Sequence, residues 1–100
     1  MAKVITVAND TVVCLNSRGN TFQKLTVQAF HDATNNVTVY GSIDEVNFVK
    51  IKQYTASGID DTVIFPYIFV SSLNGAAQTL TELEAATDVA GTSKVIVYTE

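Results

Sequence analysis

The sequence predicts an all-β fold, an antiparallel β-sandwich that forms one domain over residues 1–100. Short runs rich in β-branched and aromatic residues recur along the chain, and loops containing Asn, Asp, Gly and Ser separate them. About seven to eight strands fit, at the short spacing that is typical of sandwiches. No helical pattern is long enough to connect parallel strands, which favours antiparallel pairing.

The first part of the chain contains expected strands at residues 3–8 (KVITVA), 11–15 (TVVCL) and 21–30 (TFQKLTVQAF). Asn9-Asp10 supplies a turn between the first two, and the alternative is one continuous strand. From Leu25 onward apolar and polar residues alternate, which is the period of a half-buried strand. Cys14 is the only cysteine, so it excludes an internal disulfide, and we expect it to be buried.

Residues 37–54 (VTVYGSIDEVNFVKIKQY) predict a β-hairpin with a polar break at Asp44-Glu45. The first half alternates regularly, and the second half places Val49 and Ile51 on one face. Phe48 is out of phase with that pair. We therefore expect either that Phe48 fills the core at the end of the hairpin or that it lies at a β-bulge.

Residues 55–61 predict a loop, and residues 62–72 (TVIFPYIFVSS) form the most apolar run in the chain. Pro66 cannot donate to a ladder, so it belongs at a sheet edge, a bulge or the start of a strand. Both faces of this run are apolar, with Ile64, Ile68 and Val70 on one face and Phe65, Tyr67 and Phe69 on the other. The aromatic residues either pack in the core or form a subunit interface, where aromatic side chains are enriched.

Residues 73–91 interrupt the strand pattern. Asn74-Gly75 predicts a turn. Thr81 and Glu84 fit a capping box, which predicts a short helix near residues 81–88. The alternative is an extended loop between two strands. Residues 93–99 (SKVIVYT) predict the last strand.

Composition limits the partners of this protein. Lys and Arg total 6 against 10 Asp and Glu, which argues against nucleic acid as a partner. No apolar stretch reaches the roughly 20 residues that span a bilayer, so we expect no membrane partner and a soluble protein. Hydrophobic residues make up 47% of the chain and charged residues 16%. A small domain has too little interior to bury so many apolar side chains, so we expect another subunit to cover some of them.

The sequence does not predict an enzyme or a cofactor. His31 is the only histidine and starts a polar loop, and no nucleophile elbow or glycine-rich oxyanion loop accompanies the serines. Asp44-Glu45 and Asp60-Asp61 are the candidate acidic cluster for calcium, although solvated turns are the more common explanation of such pairs.

Residues 37–48 (VTVYGSIDEVNF) resemble the pattern V-x-V-x-G-S-x-D-G-x-x-F/W. That pattern recurs in discoidin-like, galactose-binding-type jelly-roll sandwiches and in small structural proteins of tailed bacteriophages. Residues 65–70, Asn74-Gly75 and residues 91–98 resemble later segments of these proteins, so the resemblance covers roughly residues 37–98. One departure is Glu45, where the family usually has glycine. Because glutamate resists a positive φ, the resemblance leaves the turn type open.

The resemblance implies a jelly-roll fold and a role as a bacteriophage virion protein, with a head decoration or cement subunit as the leading interpretation. The implied partners are the major capsid protein or other virion proteins, together with further copies of the chain, with a trimer favoured. Such a protein is made in the host cytoplasm and resides in the virion.

The alternative is a carbohydrate-binding module of a phage tail or of a glycan-processing protein. It would bind through loops at residues 31–36, 44–46 or 55–61. The sugar-binding relatives are usually longer and carry loop aromatics or arginines, whereas this chain has one arginine, Arg18, and no tryptophan.

Overall fold

The computed structural model describes residues 3–15, 23–31, 37–71, 78–86 and 94–100. These residues form nine β-strands and one α-helix. The elements in chain order are β1 Lys3–Ala8, β2 Thr11–Cys14, β3 Leu25–Phe30, β4 Val37–Ser42, β5 Asn47–Tyr54, β6 Gly58–Thr62, β7 Tyr67–Ser71, β8 Gln78–Thr79, α1 Leu80–Ala86 and β9 Lys94–Thr99.

The strands form two sheets in which every pair is antiparallel. Sheet I has the order β1-β9-β3-β6, and sheet II has the order β2-β7-β4-β5-β8. Apart from the two-residue β8, this is the strand order of a jelly roll, in which the chain crosses repeatedly between two four-stranded sheets. The predicted all-β antiparallel sandwich is therefore confirmed.

The main core lies between the two sheets and consists of the inward-facing residues of each strand. Sheet I contributes Leu25, Val27, Val95 and Val97, and sheet II contributes Val37, Val39, Ile68 and Val70, all of them at most 2% exposed. The alternation predicted from Leu25 onward is the reason that one face of β3 enters this core. Burial of each such side chain contributes about 1.5–3 kcal/mol, and this burial holds the sheets together.

A second apolar cluster lies on the outer face of sheet II, beneath α1. Leu83 of the helix packs there with Tyr40, Phe48 and Phe69. The Phe69 ring contacts the rings of Tyr40 and Phe48 edge-on, each with a centroid separation of 6.2 Å. The expectation that Phe48 fills a core is therefore confirmed. The core that it fills is this outer cluster and not the main core between the sheets.

The β-bulge of the hairpin lies at Ile51, not at Phe48. Val39 pairs with Lys52 and Tyr40 pairs with Lys50, so Ile51 is the extra residue on β5. The bulge directs Lys52 to the same side of the sheet as buried Val39.

Helix α1 is capped two residues earlier than the sequence predicts. The Thr79 hydroxyl accepts a bond from the Glu82 backbone N–H (3.2 Å), and Glu82 Oε1 accepts one from the Thr79 N–H (3.0 Å). The sequence contains two overlapping T-x-x-E matches, and the first is used because the Leu80 N–H donates to the Val46 carbonyl and fixes the start of the helix. The helix alternative is confirmed: the helix spans Leu80–Ala86, and residues 87–88 of the predicted range lie outside the described residues.

The segment expected to be a loop at residues 55–61 contains strand β6, so that prediction was wrong. The predicted run 62–72 also begins later as a strand, at Tyr67 directly after Pro66. Pro66 therefore stands at a strand start, which was one of its three expected positions. Acidic residues disfavour strands in general, but two side-chain partners stabilise them here: Lys52 contacts Asp60, and Thr26 donates to Asp61.

Candidate functional site

Strands β5 and β6 lie on the same narrow side of the sandwich, where the two sheets are open to solvent. Two adjoining depressions occupy this side, and Ile51 lines both. We call them the polar cleft and the apolar groove. The polar cleft is lined by Val27, Val39, Ile51, Lys52, Tyr54, Asp60, Asp61 and Thr62. The apolar groove is lined by Gly41, Ser42, Ile43, Asn47, Val49, Ile51, Val63, Ile64 and Phe65.

The polar cleft, of about 190 Å³, is bridged by an ion pair between the two sheets. Lys52 Nζ lies 2.7 Å from Asp60 Oδ2 and 4.9 Å from the centroid of the Tyr54 ring. Lys52 pairs with Val39 and Asp60 pairs with Val27, so both charged residues are on the inner side of their sheets. An inward-pointing charge on an edge strand also resists uncontrolled edge-to-edge pairing.

The protonation states in the cleft follow from the hydrogen bonds that join Lys52, Tyr54 and Asp60. The hydrogen bonds from Lys52 and then Tyr54 lower the pKa of Asp60. Burial, together with the hydrogen bond to Asp60, raises the pKa of Tyr54 to about 12. The Asp60 carboxylate is therefore ionised and the Tyr54 hydroxyl is neutral at pH 7. Efficient general acid or base catalysis requires a pKa near the working pH. Neither the pKa of Asp60 nor the pKa of Tyr54 meets this requirement.

The apolar groove, of about 290 Å³, has a closely packed floor. The Phe65 ring is 5% exposed and packs on Gly41, where an added Cβ would lie only 2.8 Å from ring carbons. The rim residues are much more exposed: Ile43 82%, Val49 52%, Val63 70% and Ile64 48%. Clustered exposed apolar side chains around a depression are typical of an interaction surface.

The turn of the hairpin borders the groove and is organised by Asp44. Its Oδ1 accepts hydrogen bonds from the backbone N–H groups of Val46 (2.9 Å) and Asn47 (2.8 Å) and from the Ser42 hydroxyl (2.9 Å). These bonds, with the one from the Asn47 side chain, hold the pKa of Asp44 well below its usual range. Glu45 adopts a φ of 65°, the conformation that glycine supplies in the resembling pattern. The turn therefore has a positive φ at a position that glutamate occupies.

The three aromatic residues proposed as a subunit interface do not form one exposed stripe. Phe65 is buried in the main core, whereas Phe69 is fully buried in the outer cluster. Because Pro66 interrupts the strand, the alternation predicted for residues 64–70 applies only from Tyr67 onward. The core interpretation is confirmed for Phe65 and Phe69. Tyr67 is half-buried and is the one of the three with surface to offer a partner.

The other residues that the sequence analysis singled out lie apart from one another in the structure. His31 is partly buried, and its backbone N–H donates to the Ser57 hydroxyl (2.9 Å). Cys14 is exposed, so the expectation that it is buried was wrong; its neighbour Leu15 enters the core instead.

Within the described ranges, no three His, Cys, Asp or Glu side chains come together as a metal site. Residues 32–36, Asn74-Gly75 and residues 91–93 lie outside the described residues.

Sequence reasoning missed both depressions. Lys52 and Asp60 come from different sheets, and Asp60 lies in a segment predicted to be a loop. Val63 and Ile64 belong to the most apolar run, which predicts burial, whereas they are exposed. The one signal available was the excess of apolar residues over the interior of a small domain, which indicates an exposed apolar surface without locating it.

Comparisons with family models, with curated proteins and with solved structures find no match to this chain. In the part of the chain that the structure describes, no helix has the length and apolarity needed to cross a membrane.

Proposed function

We propose that this protein is a structural component of a bacteriophage virion, a head decoration or cement subunit that binds the capsid and further copies of itself. The observation that carries the proposal is the exposed apolar groove beside the hairpin. The resemblance of residues 37–48 to phage structural proteins supports the same function and supplies the virion context.

The groove suits the binding of a partner because contacts within the chain already hold its floor and its bordering turn in place. Phe65 is fixed against Gly41, and six side-chain or backbone donors around Ser42 and Asp44 hold the adjoining turn. A preformed surface loses little conformational entropy on association. Burial of its apolar rim against a partner would remove hydrophobic surface from water, which favours association.

Carbohydrate binding, the alternative function, has less support. Tyr54 is 6% exposed and Lys52 lies over its ring, so this aromatic face is not open for stacking on a sugar. In the candidate loop at residues 44–46, the Asp44 carboxylate already accepts hydrogen bonds from the backbone N–H groups of Val46 and Asn47. A glycan array that shows binding would favour this alternative over a purely structural role.

Light scattering of the protein alone and with purified capsids that lack it tests the proposal. We expect an oligomer, a trimer of 10.8 kDa chains, and saturable binding to the capsids. Ile64→Asp places a charge on the groove rim and should weaken capsid binding at least tenfold. Thr81→Asp adds the same charge on the exposed side of α1 and is the matched control. A monomer without affinity for capsids, necks, tails or fibres would overturn the proposal.

A further inference from the structure

The two edges of sheet I carry different charges. Among the described residues, β1 pairs only with β9 and β6 pairs only with β3, so each presents one free edge. Strand β1 begins with exposed Lys3, and β6 contains Asp60 and Asp61. Lys52 balances one of these two carboxylates through its ion pair with Asp60, so the β6 edge keeps a negative charge.

We infer that copies of this chain join head to tail, with β1 of one copy adding to the β6 edge of the next and continuing sheet I. This inference rests on the proposed self-association and specifies the surface that performs it. A contact between unlike edges is heterologous, so it closes into a ring or extends as a filament.

Strand direction permits this addition. Neighbouring strands in the order β1-β9-β3-β6 are antiparallel, so β1 and β6 run in opposite directions. A second copy in the same orientation therefore places its β1 antiparallel to β6. Antiparallel strands can then form the same hydrogen-bond ladder that connects the strands within the sheet.

One register matches both faces of the sheet. With Val4 opposite Ile59, two outward-facing side chains that are 67% and 64% exposed form an apolar cross-strand pair. The same register places Lys3 opposite Asp60, both on the inner side of the sheet, as their partners Thr99 and Val27 are, so Lys3 would share with Lys52 a carboxylate that is already in an ion pair. The apolar pair therefore fixes this register, and the net negative charge of Asp60 and Asp61 with Lys52 attracts Lys3.

The charges also disfavour the competing pairings between like edges. Antiparallel addition of β6 to a second β6 would bring Asp60 and Asp61 of both copies together, and like charges directly opposite each other are destabilising. Addition of β1 to a second β1 would leave Lys3 without a carboxylate from the partner strand. Pairing of a β1 edge with a β6 edge is therefore favoured over pairing of two like edges.

Cysteine cross-linking tests the inference. In a Cys14→Ser background, Val4→Cys and Ile59→Cys are prepared as single variants of different tag length, mixed, and oxidised with copper phenanthroline. We expect a disulfide dimer that contains one chain of each kind, and the double variant should give a ladder or a closed ring. Lys3→Glu should lower the rate of cross-linking at least fivefold.

Val4→Cys mixed with Asp61→Cys is the matched control, because it tests a register two residues away. Cross-linking of either single variant with itself at the same rate, or no cross-linking at all, would overturn head-to-tail addition. Capsid binding without these cross-links would overturn only this inference. Cross-links without binding to any virion part would leave it standing and overturn the decoration function.

Discussion

Glu45 adopts a backbone conformation that glycine favours, and its neighbours enforce that conformation. Its φ is 65°, and its N–H donates to the Ser42 hydroxyl at 3.0 Å. The left-handed region costs a non-glycine residue roughly 1–2 kcal/mol. The bonds accepted by Asp44 from Val46 and Asn47 keep the turn in this form. The side chain of residue 45 is therefore not what determines the turn.

Glu45→Gly should raise the free energy of unfolding by about 1 kcal/mol, because it removes the left-handed strain and the turn bonds do not involve the Glu45 side chain. Urea denaturation measures the change. Glu45→Ala is the control: it removes the carboxylate but keeps the Cβ, so it should give no comparable gain. Equal stabilisation by both variants would attribute the effect to charge.

The short helix α1 shows how a marginal element is fixed by its context. A helix of 7 residues is too short to be stable alone. Its first turn is closed by the Thr79–Glu82 capping box, and Leu83 anchors it on the Tyr40–Phe69 cluster. The helix in turn covers aromatic side chains that would otherwise face water on the outer side of sheet II.

Thr79→Ala should lower the free energy of unfolding by about 1 kcal/mol, because the Glu82 N–H loses its acceptor. Thr81→Ala changes an exposed residue inside the helix and should alter stability by less than about 0.5 kcal/mol. Chemical denaturation of both variants makes the comparison. A larger loss for Thr81→Ala would place the cap where the sequence alone predicts it.

For the whole molecule, three carboxyl groups couple folding to pH. The pKa values of Asp44, Asp60 and Glu82 are lowered by hydrogen bonds that exist only in the folded chain. Each group therefore contributes stability that is fully present above its unfolded pKa, near 4, and is lost as the pH falls through the folded pKa. Tyr54 and Tyr98 have raised pKa values, so their contributions are present below about pH 10 and are lost above it.

We expect the urea midpoint to be nearly constant from about pH 5 to 9 and to fall on both sides of that range. Midpoints measured between pH 2 and 11 test this. Asp44→Asn should be less stable at neutral pH and should lose less stability on acidification, because the carboxylate that titrates is gone. An acid profile identical to that of the original chain would show that Asp44 does not couple folding to pH.

The sequence by itself determined the elements that depend on local chemistry. Alternation from Leu25 predicted a half-buried strand, and residues 37–54 predicted the hairpin with its polar turn. A T-x-x-E pattern predicted a short helix, although the overlap of two such patterns left the cap two residues away from its position in the structure. These features follow from period, turn residues and capping, which act over a few neighbouring residues.

Only the tertiary structure decided what covers each face. Phe65 and Phe69 look equivalent in sequence, yet one lies between the sheets and the other beneath α1, because Pro66 separates them and the helix arrives from a distant part of the chain. Strand β6 forms because Lys52 and Thr26 stabilise its acidic residues from neighbouring strands. Val63 and Ile64 lie between β6 and β7, outside both strands, and remain exposed although they belong to the most apolar run. Such partners are remote in sequence, so local patterns do not specify them.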